Sequence, residues 1–598
     1  MKVDSLWTCL SYVFELLSGN TVQDQLPLGQ GHTSNVVSHV DNIGSEPLMF
    51  EAPRDPRTGE GFICEYPRMR GYRKCHENDK HCWIKSHDGR RKFDINSDYE
   101  NPKEVPLGIT RRFELDIGEM PLSPDGVTME HGKVFNRQYP GPWIQACWGD
   151  TIEVTVTNKL QYNGTSVHFH GIRQLNTPHM DGVNGITQCP IAPGDTFTYK
   201  FRALQYGSSW YHSHYSLQYG DGMLGPMTIY GPTTAQYDLE GALEPILMTD
   251  WNHRSVFEAK TGAAPKMTNI LLNGNGQYGS GPDRPEKFNM TFEEGKKYLL
   301  ILINTAVDTT FIFSIDEHLL QVVETDFVPI VPYYREKLRI GIGQRYHVIV
   351  HAKPRNPARH NNYWIRTIPA RQCSKFACGP DEKMGILRYN TTKPDSDKDP
   401  LSTPFLFDIQ CADEPYEEII PWKKWRVGNP ANNDLTKTEF QVSLKNSSGV
   451  PYVPDKRLLR WDMHLDPFRI NFSDPTILSL ERETWPRYTD VVTVDTPDDG
   501  EDHWIWLLIT APYGIPSEGG ERMFVPAAHP MHLHGHDFAL LRQSTTSWED
   551  DKHNFTLDCS DERVKCDNPP RRDVALLPAY GYLIIAFKAD NPGKLPHL

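Results

Sequence analysis

Basic residues are in short supply. Lys and Arg number 62 against 77 Asp and Glu, a net charge of −15. With no cationic surplus to neutralise phosphates, nucleic acid is excluded as a partner; the acidity is read as a source of solubility. Long apolar runs are also missing. No stretch approaches the ~20 residues that a membrane-spanning helix needs, so no membrane association is expected. None of the 11 cysteines forms a C-x-x-C pair, which removes zinc ribbons and thioredoxin-type redox motifs. Several cysteine spacings suggest disulfide loops instead. An A-x-A cleavage site is absent after the short apolar run 6–14, which Asp4 and Glu15 flank. That segment is either a weak signal peptide or a misassigned start. Sequons at Asn163, Asn289, Asn390, Asn446, Asn471 and Asn554 join the cysteines in favouring a secreted glycoprotein.

What is present is β-structure. At 598 residues the chain is too long for one core and implies about three domains. With 44 Gly and 47 Pro, turns are frequent, and between them lie alternating or β-branched runs. R-R-F-E-L-D-I (111–117), T-I-E-V-T-V-T (151–157), F-T-Y-K-F (197–201) and M-T-I-Y (227–230) form a first set. Y-L-L-I-L-I-N (298–304), T-F-I-F-S-I (310–315), Y-H-V-I-V-H-A (346–352) and Y-W-I-R-T-I (363–368) form a second. W-I-W-L-L-I (504–509), F-A-L-L (538–541) and L-I-I-A-F-K (583–588) form a third. W-G-D-T-I-E-V-T-V-T-N and E-E-G-K-K-Y-L-L-I-L-I-N share a turn, a strand and a terminal Asn, which suggests one repeated sandwich unit. The chain is predicted to be all-β, with Greek-key sandwiches at 63–235, 236–405 and 406–598 after a leader or loop over 1–62.

Histidine pairs carry the chemistry. H-P-M-H-L-H-G-H (529–536), V-H-F-H-G and W-Y-H-S-H-Y each contain H-x-H. In extended backbone residues i and i+2 face the same way, so His168 with His170, His212 with His214, and His532 with His534 can point together. Imidazole suits zinc, copper, iron or nickel. The first two pairs lie close in sequence and the third far away, which implies a metal cluster clamped between an early and a late domain.

These motifs, together with D-G-V-N-G-I-T-Q-C-P-I-A-P-G (181–194), Q-Y-G-S-S-W-Y-H-S-H-Y-S-L-Q-Y-G-D-G (205–222) and D-N-P-P-R-R-D-V (567–574), resemble the multicopper oxidases, most closely ascomycete-type fungal laccases. The resemblance runs from about Cys75 to about Gly593 and implies three tandem cupredoxin domains. It implies that His168 and His532 hold a type 2 copper, that His170, His212, His214 and His534 hold a type 3 pair, and that His529 is one ligand of a mononuclear type 1 copper. It further implies dioxygen and small phenols or aromatic amines as reactants, a monomer, and Asp181 as a proton-relay acid, against the plainer reading of an Asx turn before Gly182. Phe169 replaces a family Trp in the core. His536 is expected beside the ligands rather than among them, and Arg571, Arg572 and Asp573 as a buried ionic anchor. An acid that orients phenols is expected in the second domain, with Asp283 or Glu286 as candidates.

One departure stands out. The family's H-C-H-I-A-W-H run, which supplies the type 1 Cys and two cluster ligands, does not follow D-N-P-G; the chain reads D-N-P-G-K-L-P-H-L. Gly593-Lys594-Leu595 can be encoded with GTAAGT, a splice-donor sequence, so intron read-through and an incomplete, inactive third domain are expected. Cys75 and Cys82 are expected to pair, as are Cys559 and Cys566, and Cys378 with Cys411, leaving Cys189 free. The alternatives are a non-catalytic copper-binding cupredoxin protein or another multicopper oxidase, an ascorbate oxidase or ferroxidase.

Overall fold

The computed structural model describes residues 62–76, 78–238, 245–258, 266–279, 285–355, 361–377, 380–389, 399–406, 410–431, 439–447, 458–463, 470–482, 485, 503–511, 522–523 and 527–591. Residues 1–61 of the expected leader, Asp283, Cys378 and the last seven residues lie outside this set. The described chain is all-β, as its alternating runs imply, in three two-layered sandwich units.

In the first unit Met129–Phe135, Thr110–Leu122, Thr151–Asn158 and Thr196–Arg202 form one sheet, and Ile144–Cys147, Leu224–Tyr230, Gly207–Ser213 and Val167–Phe169 the other. Thr151–Asn158 buries every second residue. Ile152, Val154 and Val156 enter the core between the sheets, while Thr155 and Thr157 meet Thr198 and Thr196 on the outer face at 3.1 Å.

The matching strand of the second unit, Lys297–Asn304, reads as a continuous apolar run, and its neighbours explain why. Tyr298, Leu300 and Leu302 fill the second unit's own core. Ile301 and Ile303 face the other way, into a cluster with Trp210 and Leu224 of the first unit. A strand covered on both faces loses the polar half of its alternation. The two strands nevertheless end alike. Asn158 donates to the carbonyls of Asn163 and Ile191 and accepts from the Leu160 N–H. Asn304 donates to those of Thr309 and Ile340 and accepts from the Ala306 N–H. The sequence repeat is thus a repeat of one buried amide clamp, in which both carbonyls and the N–H of a sharp chain reversal are satisfied.

In the third unit Tyr582–Lys588 lies between Trp504–Thr510 and Phe538–Ser544. Tyr582, Ile584 and Ala586 pack on one face with Trp504 and Trp506, and Leu583 and Ile585 on the other with Phe538 and Leu540. This last described strand is central in its sheet and covered on both sides, where an incomplete domain was expected to expose apolar faces.

Bridges join Cys75 to Cys82 and Cys559 to Cys566, as expected, and Cys64 to Cys147. Two disulfide expectations need correction. Cys411 pairs with Cys373, not Cys378, because the turn after Asn362–Pro369 brings Cys373 to a Cα separation of 5.8 Å. Cys189 is disulfide-bonded, not free.

Candidate metal centre

His168 and His212 are opposed residues of adjacent strands, so both rings leave the same side of the sheet. His170 and His214 follow two residues later on each chain. From the third unit, the short strand His529–His532 pairs with Val574–Leu577 and delivers His532, with His534 just beyond it. Leu533 turns back into the apolar layer. The six rings converge: His168 lies 5.7, 5.4, 5.6, 5.7 and 4.1 Å, centroid to centroid, from His170, His212, His214, His532 and His534. His170 stacks on His532 at 3.9 Å.

Hydrogen bonds fix which nitrogen each ring offers. The Nδ1 atoms of His168, His212 and His532 lie 2.8, 3.0 and 2.8 Å from the carbonyls of Asp181, Ser213 and Asp573. A carbonyl can only accept, so Nδ1 carries the proton and Nε2 keeps its lone pair. Nε2 of His168 and His532 is buried without a hydrogen-bond partner; His170 turns Nε2 to Asp573 Oδ1 at 3.4 Å, and ligand atoms of the three rings lie within 4.8 Å of one another. Buried acceptors left unpaired at one point fit a metal ion as their missing partner.

Burial is the first cause of a low pKa at His170, His212 and His532, with neighbouring imidazoles or Arg345 adding to it. His214 falls to about 3 for the same reasons. Neutral imidazole is the ligating form.

Asp181 sits beneath the cluster. Its Oδ2 accepts from His534 Nδ1 at 2.9 Å, and Oδ1 is 3.3 Å from His168 Nδ1. Burial alone would raise its carboxyl, but the two imidazoles hold it well below the usual range. Asp181, His168 and His534 also form a metal-sized group, yet these Nδ1 atoms are already hydrogen-bonded, so the carboxylate orients rings rather than joining the ligands. The following Gly182 has φ +85°, and a Cβ there would come within 1.9 Å of the Val167 carbonyl. Only glycine lets this loop lie against the His168 strand.

The other candidates fall outside the cluster. His529 belongs to no group of three metal-binding side chains among the described residues, and burial lowers it to about 4. His536 packs on Phe587 at 4.9 Å, with Nδ1 3.4 Å from the His534 carbonyl. Phe169 is fully buried against Phe201. Arg571, Arg572 and Asp573 are buried in ion pairs, though not with one another: Arg571 binds Asp537 and Glu100, Arg572 binds Asp326, and Asp573 binds Arg345. Arg345 and Asp326 come from the second unit and carry no motif that would have singled them out.

Glu286 is exposed. Among the second-unit acids raised by burial, which include Asp250, Glu324 and Asp326, Asp308 lies half-buried in the turn after Asn304. Burial, and then Asp250, push it up to about 7. An acid raised on folding binds its proton more tightly in the native chain, so stability is present below the unfolded value of 3.8 and declines as pH rises toward about 7. We expect Asp308→Asn to flatten that decline in thermal unfolding between pH 5 and pH 8. An unchanged slope in the variant would show that Asp308 does not cause it.

With this geometry in view, three domain-family models, each described as multicopper oxidase, match residues 116–234, 243–392 and 460–595. The third match runs to residue 595, so it gives no support to the expected truncation or to the inactivity drawn from it. A laccase of Arthroderma benhamiae is 45% identical over 546 residues, 89% of this chain and 81% of that protein. Dihydrogeodin oxidase of Aspergillus terreus is 39% identical over 536 residues, 86% and 84% of the two chains. The crystal structure of the laccase from Botrytis aclada superposes with a TM-score of 0.73 at 39% identity, covering 87% of this chain and 88% of that one.

Proposed function

The chain belongs to the multicopper oxidase family and is laccase-like, and we propose that it oxidises phenols or aromatic amines by single electrons while reducing dioxygen. Bound copper would supply the redox chemistry, four substrate electrons and four protons converting one dioxygen to two waters. The observation that carries this reading is the convergence of buried His168, His170 and His532, whose ligand atoms lie within 4.8 Å of one another, with Nε2 of His168 and His532 unpartnered. We assign His168 and His532 to one copper and His170, His212, His214 and His534 to a pair, with His529 at the substrate-side copper. Copper rather than zinc is chosen on family grounds, since imidazoles bind both.

The chain's own groups do the positioning. Backbone carbonyls of Asp181, Ser213 and Asp573 lock three ring tautomers. Asp181 holds His534 and is the acid nearest the cluster for moving protons toward reduced oxygen. The disulfides favour secretion into an oxidising environment, and a monomer suffices because one chain supplies both halves of the cluster.

The test is oxygen uptake by copper-loaded protein with a methoxyphenol, expected at one dioxygen per four phenols. Uptake driven only by ascorbate or ferrous iron would assign it elsewhere in the family. A second reading rests on one observation: all nine described cysteines are in disulfides, so no described thiol can serve a blue type 1 copper. Copper binding without a blue band or oxygen uptake would support that reading, a copper-binding cupredoxin protein without catalysis.

A further inference from the structure

Where the three units meet lies a cavity of ≈ 200 Å³. Its lining holds five cations (Lys423, Lys424, Arg426, Arg571 and Lys588) against two acids, Asp98 and Glu100. In a chain of net charge −15 this is a local reversal of sign. Lys423 is engaged by Asp98 at 2.8 Å. Glu100 holds Arg571 at 2.5 Å and stands 3.6 Å from Lys588.

Arg571 is fixed with unusual completeness. Its guanidinium lies between two rings, 4.7 Å from the centroid of Tyr99 and 4.6 Å from that of Trp425. Nε and Nη2 carry its bonds to Asp537 and Glu100, and the residue lines the cavity. Lys424 and Arg426 are exposed at the mouth. The remaining wall is apolar, built by Ile95, Val328, Pro329 and Pro421 with Trp504.

We propose that this cavity binds a single-ring aromatic carboxylate. Arg571, Lys424 and Arg426 receive the carboxylate by charge-assisted hydrogen bonds, and the apolar wall covers the ring. The charge excess disfavours a cation. An inorganic anion would leave the apolar wall uncovered, and a cavity of ≈ 200 Å³ has room for one ring with its carboxylate. Because the lining comes from all three units, the ligand holds them together and stabilises the folded chain by mass action.

Benzoate is the probe. It has no phenol or amine to oxidise, so the outcome does not depend on the oxidase reading. Titration at constant ionic strength, followed by the fluorescence of Trp425 and Trp504, should saturate with a midpoint on the order of 1 mM, as a ligand of so few atoms allows. The unfolding midpoint should rise with it. Inorganic phosphate should produce neither effect, and the surface double variant K424Q/R426Q should weaken benzoate about 10-fold. No saturable response, an equal response to phosphate, or unchanged binding in the double variant would each overturn the proposal.

Discussion

Arg345→Met should destabilise the chain by about 3–5 kcal/mol, the cost of breaking a buried ion pair from one side. Arg345 is 1% exposed and grips both oxygens of Asp573, Nη1 to Oδ1 at 2.5 Å and Nη2 to Oδ2 at 2.6 Å. Its Nη1 also donates to the Gly343 carbonyl at 3.1 Å. Methionine fills part of the volume but leaves Asp573 charged, fully buried and without its countercharge. Gly171 packs directly against the pair: a Cβ there would meet Asp573 Oδ2 at 2.3 Å and Arg345 Nη2 at 2.4 Å. The damage should reach the cluster, since the Asp573 carbonyl holds His532 and its Oδ1 lies 3.4 Å from His170 Nε2. Denaturant unfolding of the copper-free protein measures the cost. The double variant R345M/D573L should recover part of it, because removing both charges leaves neither unpaired. A loss below about 1 kcal/mol in the single variant, or no recovery in the double, would show that the pair does not anchor the second unit to the third.

The same ion pair marks the limit of what the sequence made legible. The three H-x-H motifs could be read because period-2 backbone converts spacing directly into a shared face. His168 and His212 behave in this way, whereas Asp181 was singled out only by the resemblance of its motif, its glycine suggesting a plain Asx turn. The strand Val167–Phe169 that carries His168 is only three residues long, and Gly207–Ser213 is fully buried although Ser and Gly fill much of it. Neither shows the apolar alternation that marks a strand, because functional rings and close sheet packing replaced it. Arg345 lies before the apolar part of a strand, Asp326 in a turn, and nothing local records that each meets a partner more than 200 residues away. Long-range charge pairing leaves no periodicity. Cys411 shows the same limit, since the sequence alone paired it with Cys378 and only the turn that positions Cys373 reveals the partner.

Asp181→Asn should lower copper affinity by about 10–100-fold, the usual cost of losing a group that orients a ligating imidazole. The carboxylate holds His534 Nδ1 at 2.9 Å and stands 3.3 Å from His168 Nδ1. An amide nearly matches its shape but offers only one accepting oxygen and no charge. His534 would then lose either its partner or the orientation that turns its other nitrogen inward. The backbone carbonyl of Asp181 is kept in the variant, so the bond to His168 at 2.8 Å survives and the loss should be partial. His168→Ala should be more severe. Its ring lies within 5.7 Å of five other imidazoles, and no described side chain substitutes for its Nε2. Equilibrium dialysis against a copper chelator, with bound metal counted per chain, separates the two variants from wild type. Circular dichroism on the same samples shows whether the sandwich is retained. A graded order, with wild type tightest, Asp181→Asn intermediate and His168→Ala weakest, is expected if the histidines bind the metal and the aspartate aims them. Copper binding by Asp181→Asn as tight as wild type would remove the orienting role. Full copper retention by His168→Ala would mean that the metal lies elsewhere, and the convergence of the six rings would need another explanation.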